Sequence, residues 1–178
     1  MIELVAITHA AAPPPPARLR AIPVGGLMAV VGPANDEEAT AELLWRHEEL
    51  VEELMADCDV LPVRYGTRFA DDGDAAHAVA ARHGTLAAAL DRVRGAVELS
   101  VRAICADPGA THAALSELAR DAMERPVRPP EALRAAYLVD RDTVDAFAAR
   151  VAQLQAAQGG AQILCTGPWP PYSFSERS

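Results

Sequence analysis

Three groups of prolines decide where regular structure can form in this chain. Pro13 to Pro16 stand near the start, Pro126, Pro129 and Pro130 two-thirds of the way along, and Pro168, Pro170 and Pro171 near the end. Proline lacks an amide proton and its ring collides with the preceding helical turn, so neither a helix interior nor a central strand runs through such a group.

Before the first group, Ile2 to Thr8 is a short apolar run bounded by His9, which reads as a buried strand leading into an extended loop. Leu19 to Pro23 and Leu27 to Val31 flank Val24-Gly25-Gly26, where glycines permit the positive backbone angles of a tight hairpin. Three strands are expected in the first thirty residues. Asn35 or Asp36 can then cap a helix, with Glu38 in capping-box spacing from Asn35. Leu43, Leu44, His47, Leu50, Val51, Leu54 and Met55 follow at helical spacing, with Glu42, Glu49, Glu52 and Glu53 projecting elsewhere.

Val60 to Gly66 reads as a strand, and Asp71 to Asp74 as a solvated turn. Asp74 to Arg94 is an Ala-rich helix interrupted at Gly84 and stopped at Gly95. Val97 to Ile104 alternates apolar and polar residues, the period of a half-buried strand. Ala110 to Met123 reads as a helix, the second proline group as a loop, Ala135 to Val139 as a strand, Thr143 to Ala157 as a helix closed by Gly159-Gly160, and Ala161 to Thr166 as a final strand.

This order predicts an α+β fold of two small lobes, 1–94 and 95–178, the C-terminal one a modified ferredoxin-like, split-βαβ unit. A length of 178 residues suits such a pair of lobes, and a chain 51% hydrophobic and 23% charged can pack them.

The net charge of -9 makes nucleic acid and anionic membrane poor partners, since no Arg cluster in the sequence reverses it locally. Cys58, Cys105 and Cys165 are too far apart for a zinc site or a disulfide framework, and read as reduced thiols. Without a basic leader or a long apolar run the expected location is the cytoplasm.

Catalytic patterns are missing. His47-Glu48-Glu49-Leu50-Val51 begins like a zincin helix but has valine at the second ligand position, and none of the five histidines stands in metal-ligand spacing. Ser100, Ser116 and Cys105 lack the glycines of a nucleophile elbow. No cofactor or metal is expected. Arg64 and Arg68 bracket Tyr65-Gly66 at a strand end, where they can grip an anion or, the favoured reading, tie the acidic helix to the sheet through Glu52 or Glu53. Trp169, Tyr172 and Phe174, interleaved with prolines, make either an aromatic recognition surface or, again favoured, a tail docked over the core.

Four strings together resemble the gas-vesicle GvpL/GvpF family: Leu61-Pro62-Val63-Arg64-Tyr65-Gly66-Thr67, Gly95 to Arg102, Ala136-Tyr137-Leu138-Val139, and Gly167 to Phe174. Where that family shows Glu-Trp and a later Lys, this chain has Glu98-Leu99 and Arg102, and its region between Ile104 and Tyr137 is shorter. The resemblance implies a non-enzymatic accessory protein of gas-vesicle assembly whose partners are the hydrophobic shell protein and other gas-vesicle accessory proteins. Structural or partner-contact roles then fall to Arg64, Tyr65, Arg68, Glu98, Arg102, Trp169, Tyr172 and Phe174. The competing expectation is a small-ligand enzyme or sensor of ferredoxin-like architecture, for which Arg64, Arg68 and a histidine would converge on one pocket. For the assembly role the candidate contact elements are Ile2 to Ile7, Leu27 to Val31 and Ala135 to Val139, at least one of them at a sheet edge.

Overall fold

The computed structural model describes residues 1–35 and 39–175. The chain is a mixed α+β protein with two antiparallel sheets, and it divides into two compact units. One comprises Met1–Arg94 with the stretch from Phe174, the other Gly95–Ser173.

In the first unit, β1 (Ile2–His9), β2 (Arg20–Val24), β3 (Leu27–Pro33), β4 (Leu61–Pro62) and β5 (Arg68–Phe69) form one sheet. Its order is β2-β3-β1-β4, with β5 also pairing β1. The six inner residues of β1 are all buried, so both faces of this strand are covered. Val24 pairs with Leu27 across a two-residue turn in which Gly25 (φ 56°) and Gly26 (φ 93°) supply the positive angles of a tight hairpin. The helices are α1 (Ala41–Asp57), α2 (Asp72–Ala81) and α3 (His83–Val93). Val51, Leu54 and Met55 are the buried apolar stripe of α1.

Several local expectations need correction. The cap of α1 is Thr40, whose hydroxyl accepts from the Leu43 amide at 3.3 Å, rather than Asn35; Asp36 and Glu38 lie outside the described residues. Asp71 caps α2 through the Asp74 amide at 3.0 Å, so the helix starts inside the acidic turn. The break before α3 falls at Arg82 and not at Gly84, and His83 is fixed by a 2.6 Å contact from Nε2 to the Gly25 carbonyl. Within Val60 to Gly66 only Leu61–Pro62 is strand, because the chain turns at Gly66 (φ 85°) and pairs again at Arg68–Phe69.

The second unit runs β6 (Ala96–Ile104), α4 (Pro108–Ser116), β7 (Asp121–Glu124), β8 (Leu133–Asp140), a 3₁₀ turn, α5 (Val144–Ala157) and β9 (Gln162–Trp169), and ends at Ser173 within one turn of helix, α6 (Tyr172–Ser175). Its sheet order is β7-β8-β6-β9 with all neighbours antiparallel, the connectivity of a split βαβ unit and compatible with a ferredoxin-like arrangement. Leu99, Val101, Ala103, Ala135, Tyr137 and Val139 alternate onto one face and pack with Leu115 of α4 and with Phe147 and Val151 of α5. Tyr137 meets Phe147 at a ring-centroid distance of 5.2 Å. Burying Phe147 completely contributes on the order of 2 to 3 kcal/mol.

The expected helix Ala110 to Met123 is also corrected: α4 ends at Ser116 and Asp121–Glu124 is β7, paired to β8. Its strand state depends on a partner some fifteen residues downstream in sequence, which no local period reveals.

The expected contact strands are all interior. Ile2 to Ile7 lies between β3 and β4, Leu27 to Val31 between β2 and β1, and Ala135 to Val139 between β7 and β6. The longest strand with one partner is β9, eight residues paired only with β6 among the described residues.

Candidate functional site

In an antiparallel sheet, residues directly opposite share a face, so the register of β6 with β8 and β9 places side chains row by row. Apolar residues at 99, 101 and 103 turn toward the helices, leaving Glu98, Ser100 and Arg102 on the other face. One row there contains Arg134, Arg102 and Leu164, and the next contains Ala136, Ser100 and Thr166. Arg125 extends the first row, its amide donating to the Arg134 carbonyl at 2.7 Å. Above this face lies a cleft of about 660 Å³ that also takes in Arg128, Trp169 and Ser173.

Glu98 is the single carboxylate lining the cleft, and it is occupied. One carboxylate oxygen accepts from the Ser173 amide at 2.8 Å and the other from the Ser173 hydroxyl at 2.6 Å. Arg125 donates to the same hydroxyl at 2.7 Å. Burial pushes the Glu98 carboxyl above its ordinary pKa, against the Ser173 bonds and the Arg125 charge, which pull it down. In the register shift of β9 beside Glu98, Gly167 has φ 123°, and a Cβ there would stand 2.7 Å from the Glu98 carbonyl oxygen. Only glycine lets β9 pass this close to β6.

Of the residues expected from sequence, Glu98, Arg102 and Trp169 meet in this cleft. Trp169 is 39% exposed, its indole N–H donating to the Thr166 hydroxyl at 3.3 Å. Phe174 is fully buried, and its carbonyl accepts from Arg92 at 3.5 Å. Tyr172 is half-buried at the start of α6. Arg64, Tyr65 and Arg68 belong to the first unit. Arg64 lines a pocket of about 240 Å³ that neither Arg68 nor any histidine lines, so the convergence an enzyme or sensor would need is not formed there among the described residues. Arg18 pairs with Glu53 of α1.

A second polar cluster was hidden in the apolar stripe. His47 of α1 places Nδ1 3.0 Å from Glu3 Oε1 and Nε2 2.7 Å from the Val63 carbonyl, and the Gly66 amide donates to the same Glu3 oxygen at 3.3 Å. Tyr65 meets the His47 ring edge-on at 5.7 Å. Burial alone would lower the pKa of His47, but Glu3 and the Val63 carbonyl outweigh it and raise the pKa above the ordinary value. Both ring nitrogens face acceptors, the arrangement that suits a charged imidazolium.

Sequence reasoning missed Arg125, Arg128, Arg134, Ser100, Thr166 and Ser173. Arg125-Pro126-Val127-Arg128-Pro129-Pro130 was a visible signal, two cations on a proline-stiffened loop, but its place beside β6 needs the register. Among the described residues no group of three or more His, Cys, Asp or Glu side chains is placed to hold a metal, and no helix is long and apolar enough to cross a membrane.

The family described as gas vesicle synthesis protein GvpL/GvpF matches this chain over residues 6–113 and 106–176. The chain belongs to the GvpL/GvpF family. Among curated GvpL/GvpF relatives, gas vesicle protein F2 of Halobacterium salinarum is 27% identical over 154 residues, 79% of this chain and 71% of that one. Gas vesicle protein F of Haloferax mediterranei is likewise 27% identical, over 79% and 72%. The crystal structure of GvpF from Anabaena superposes with a TM-score of 0.81 at 16% identity, over 99% of this chain and 96% of that one. GvpF from Microcystis aeruginosa gives 0.77 at 14% identity, over 99% of both. The GvpL/GvpF match supports an accessory role in gas vesicles for this chain.

Proposed function

We propose that this GvpL/GvpF protein binds the hydrophobic shell protein of the gas vesicle and supports nucleation or assembly of the shell, acting by contact and without catalysis. The observation that carries this reading is the free edge of β9. This strand is long, has one partner, and carries Leu164, 57% exposed, with Ile104 and Trp169 exposed nearby. An unpaired strand edge bordered by apolar side chains is suited to cover an aggregation-prone strand before it joins a shell. The acidic remainder of the chain keeps such a complex in solution. The protein is accordingly placed in the cytoplasm, associated with gas vesicles, with other accessory proteins of the vesicle as further partners.

The test is co-expression with the shell protein followed by pull-down, comparing the natural chain with Leu164→Lys. A lysine on an edge strand discourages pairing and, being at an exposed site, alters stability by only about 0.5 kcal/mol. The expected result is recovery of the shell protein by the natural chain and its loss with Leu164→Lys. Equal recovery by both removes β9 from the contact, and absence of any complex with all vesicle components returns the chain to the ligand-binding reading.

A further inference from the structure

The cleft on the open face of the second sheet carries a charge opposite to that of the whole chain. The protein has a net charge of -9, yet four guanidinium groups line this cleft against one carboxylate. That carboxylate, Glu98, already receives two bonds from Ser173. Arg102 and Arg134 are direct cross-strand partners, a like-charge juxtaposition that costs free energy in an isolated sheet. Among the described residues, Arg102, Arg128 and Arg134 take part in no ion pair. Natural surfaces relieve such rows with an interleaved acid, and among the described residues the acid lining this cleft is Glu98, at the Arg125 end. Facing solvent, the row is open to an anionic ligand.

The layout of the cluster suits an extended anion better than a compact one. Phosphate sites gather backbone N–H groups at one point, at the start of a long helix or in a glycine-rich loop. Here the donors are side chains distributed along strands, with Ser100 and Thr166 hydroxyls in the adjoining row and the Trp169 indole at its end. Planar guanidinium forks match carboxylates as well as phosphates, and an extended segment turns a side chain to one side at every second residue, so several carboxylates of one segment can meet a row of such forks.

We propose that the cleft bounded by Arg102, Arg125, Arg128, Arg134 and Trp169 is a binding site for an extended acidic polypeptide segment, whose side-chain carboxylates sit between the guanidinium groups. The segment runs across the strands over the row of Arg125, Arg134 and Arg102, with its acidic side chains turned down onto the guanidinium groups. Glu98 and Ser173 hold Arg125 in place at one end of the row, so the site is partly organised before the segment arrives.

The experiment uses the full chain and a synthetic probe, and therefore fails or succeeds independently of shell-protein binding. A fluorophore-labelled octapeptide alternating Glu and Thr, and its counterpart with Gln for Glu, are titrated with the protein by fluorescence anisotropy. The Glu peptide should bind about tenfold or more tightly than the Gln peptide at low salt, as charge-assisted contacts require. Arg102→Gln and Arg134→Gln should each weaken the Glu peptide by about fivefold or more while leaving the Gln peptide unchanged. Arg128→Gln, on the exposed proline loop, serves as the variant least able to disturb the sheet, and far-ultraviolet circular dichroism confirms that each variant is folded. Equal binding of the two peptides, no binding of the Glu peptide to the natural chain, or indifference to all three substitutions overturns the proposal. Displacement of the peptide by inorganic phosphate at constant ionic strength also overturns it in favour of a small-anion site, and tighter binding of a labelled oligonucleotide to the same arginines reassigns the cleft to nucleic acid.

Discussion

His47 and Glu3 form a buried ion pair at 3.0 Å, one on the first helix and the other on the first strand, with side-chain exposures of 4% and 7%. A pair this deep is held by its remaining hydrogen bonds, and both groups have them: Val63 for the imidazole and Gly66 for the carboxylate. Because the His47 pKa is raised in the folded state, its stabilising effect is complete below the unfolded value of about 6.5 and is lost as pH rises through the folded value. Thermal unfolding of the natural chain and of His47→Gln, followed from pH 5 to 9, should therefore show a stability difference that is largest at the acid end and shrinks toward alkaline pH. A difference independent of pH would mean that His47 is neutral throughout. Glu3→Gln, which leaves the imidazolium without its counter-charge, should cost about 3 to 5 kcal/mol near pH 6.

The aromatic tail divides into parts with opposite expectations. Phe174 is fully buried while Trp169 is two-fifths exposed. Phe174→Ala should cost about 3 to 5 kcal/mol in denaturant unfolding, as large-to-small core changes do, whereas Trp169→Ala should cost about 1 kcal/mol or less. Truncation at Gly167, which removes both, should match the Phe174 substitution or exceed it. A truncated chain that melts with the natural one would make the tail a recognition segment.

Glu98 supplies a second pH signature, in the acid range. Burial holds its carboxyl above the ordinary pKa, so the folded state binds this proton more tightly than the unfolded state does. Its contribution to stability is largest below the unfolded value of about 4.3 and falls as pH rises through the folded value. In Glu98→Gln this decline should vanish while the tail stays in place, because the amide oxygen still accepts from Ser173. Ser173→Ala should cost about 1 to 2 kcal/mol by removing one donor from a buried carboxylate. Equal pH profiles for the natural chain and Glu98→Gln would show that Glu98 is solvated.

Much of this architecture was legible from local chemistry. The glycine pair at 25 and 26, the stripe from Leu43 to Met55 and the alternation from Val97 to Ile104 each state their own structure, because turn, helix and half-buried strand have distinct local requirements. What failed depended on distant partners. The strand Asp121–Glu124 exists through β8, and the brief pairing of Arg68 with Glu3 joins residues far apart in sequence. The same reason governs the site. Arg102 was singled out in its strand, but Arg134 became its neighbour only through the β6–β8 register, and Arg125 and Arg128 joined them from a loop read merely as a loop. His47 was placed correctly on the apolar stripe, yet nothing local pointed to Glu3 as its partner.

Leu164 and Trp169 border both the edge of β9 and the arginine cleft, and the response of complex formation to salt separates the two modes of contact. The proposed shell-protein binding along β9 would draw on apolar burial at Leu164, Ile104 and Trp169 and on backbone pairing, neither of which salt screens. At about 1 M salt the screening length falls to about 3 Å, so attraction between surface charges is removed while apolar burial is retained or strengthened. Acidic-segment binding at Arg102 and Arg134 should instead weaken steeply between about 0.05 and 0.5 M salt, since its contacts are guanidinium–carboxylate pairs on an accessible sheet face. Measuring both titrations on the same preparation gives a direct comparison: pull-down of shell protein should persist or increase as the anisotropy of the Glu peptide falls. If shell-protein binding collapses in parallel with the peptide, the contact is electrostatic and the arginine row, rather than the edge of β9, holds the shell protein.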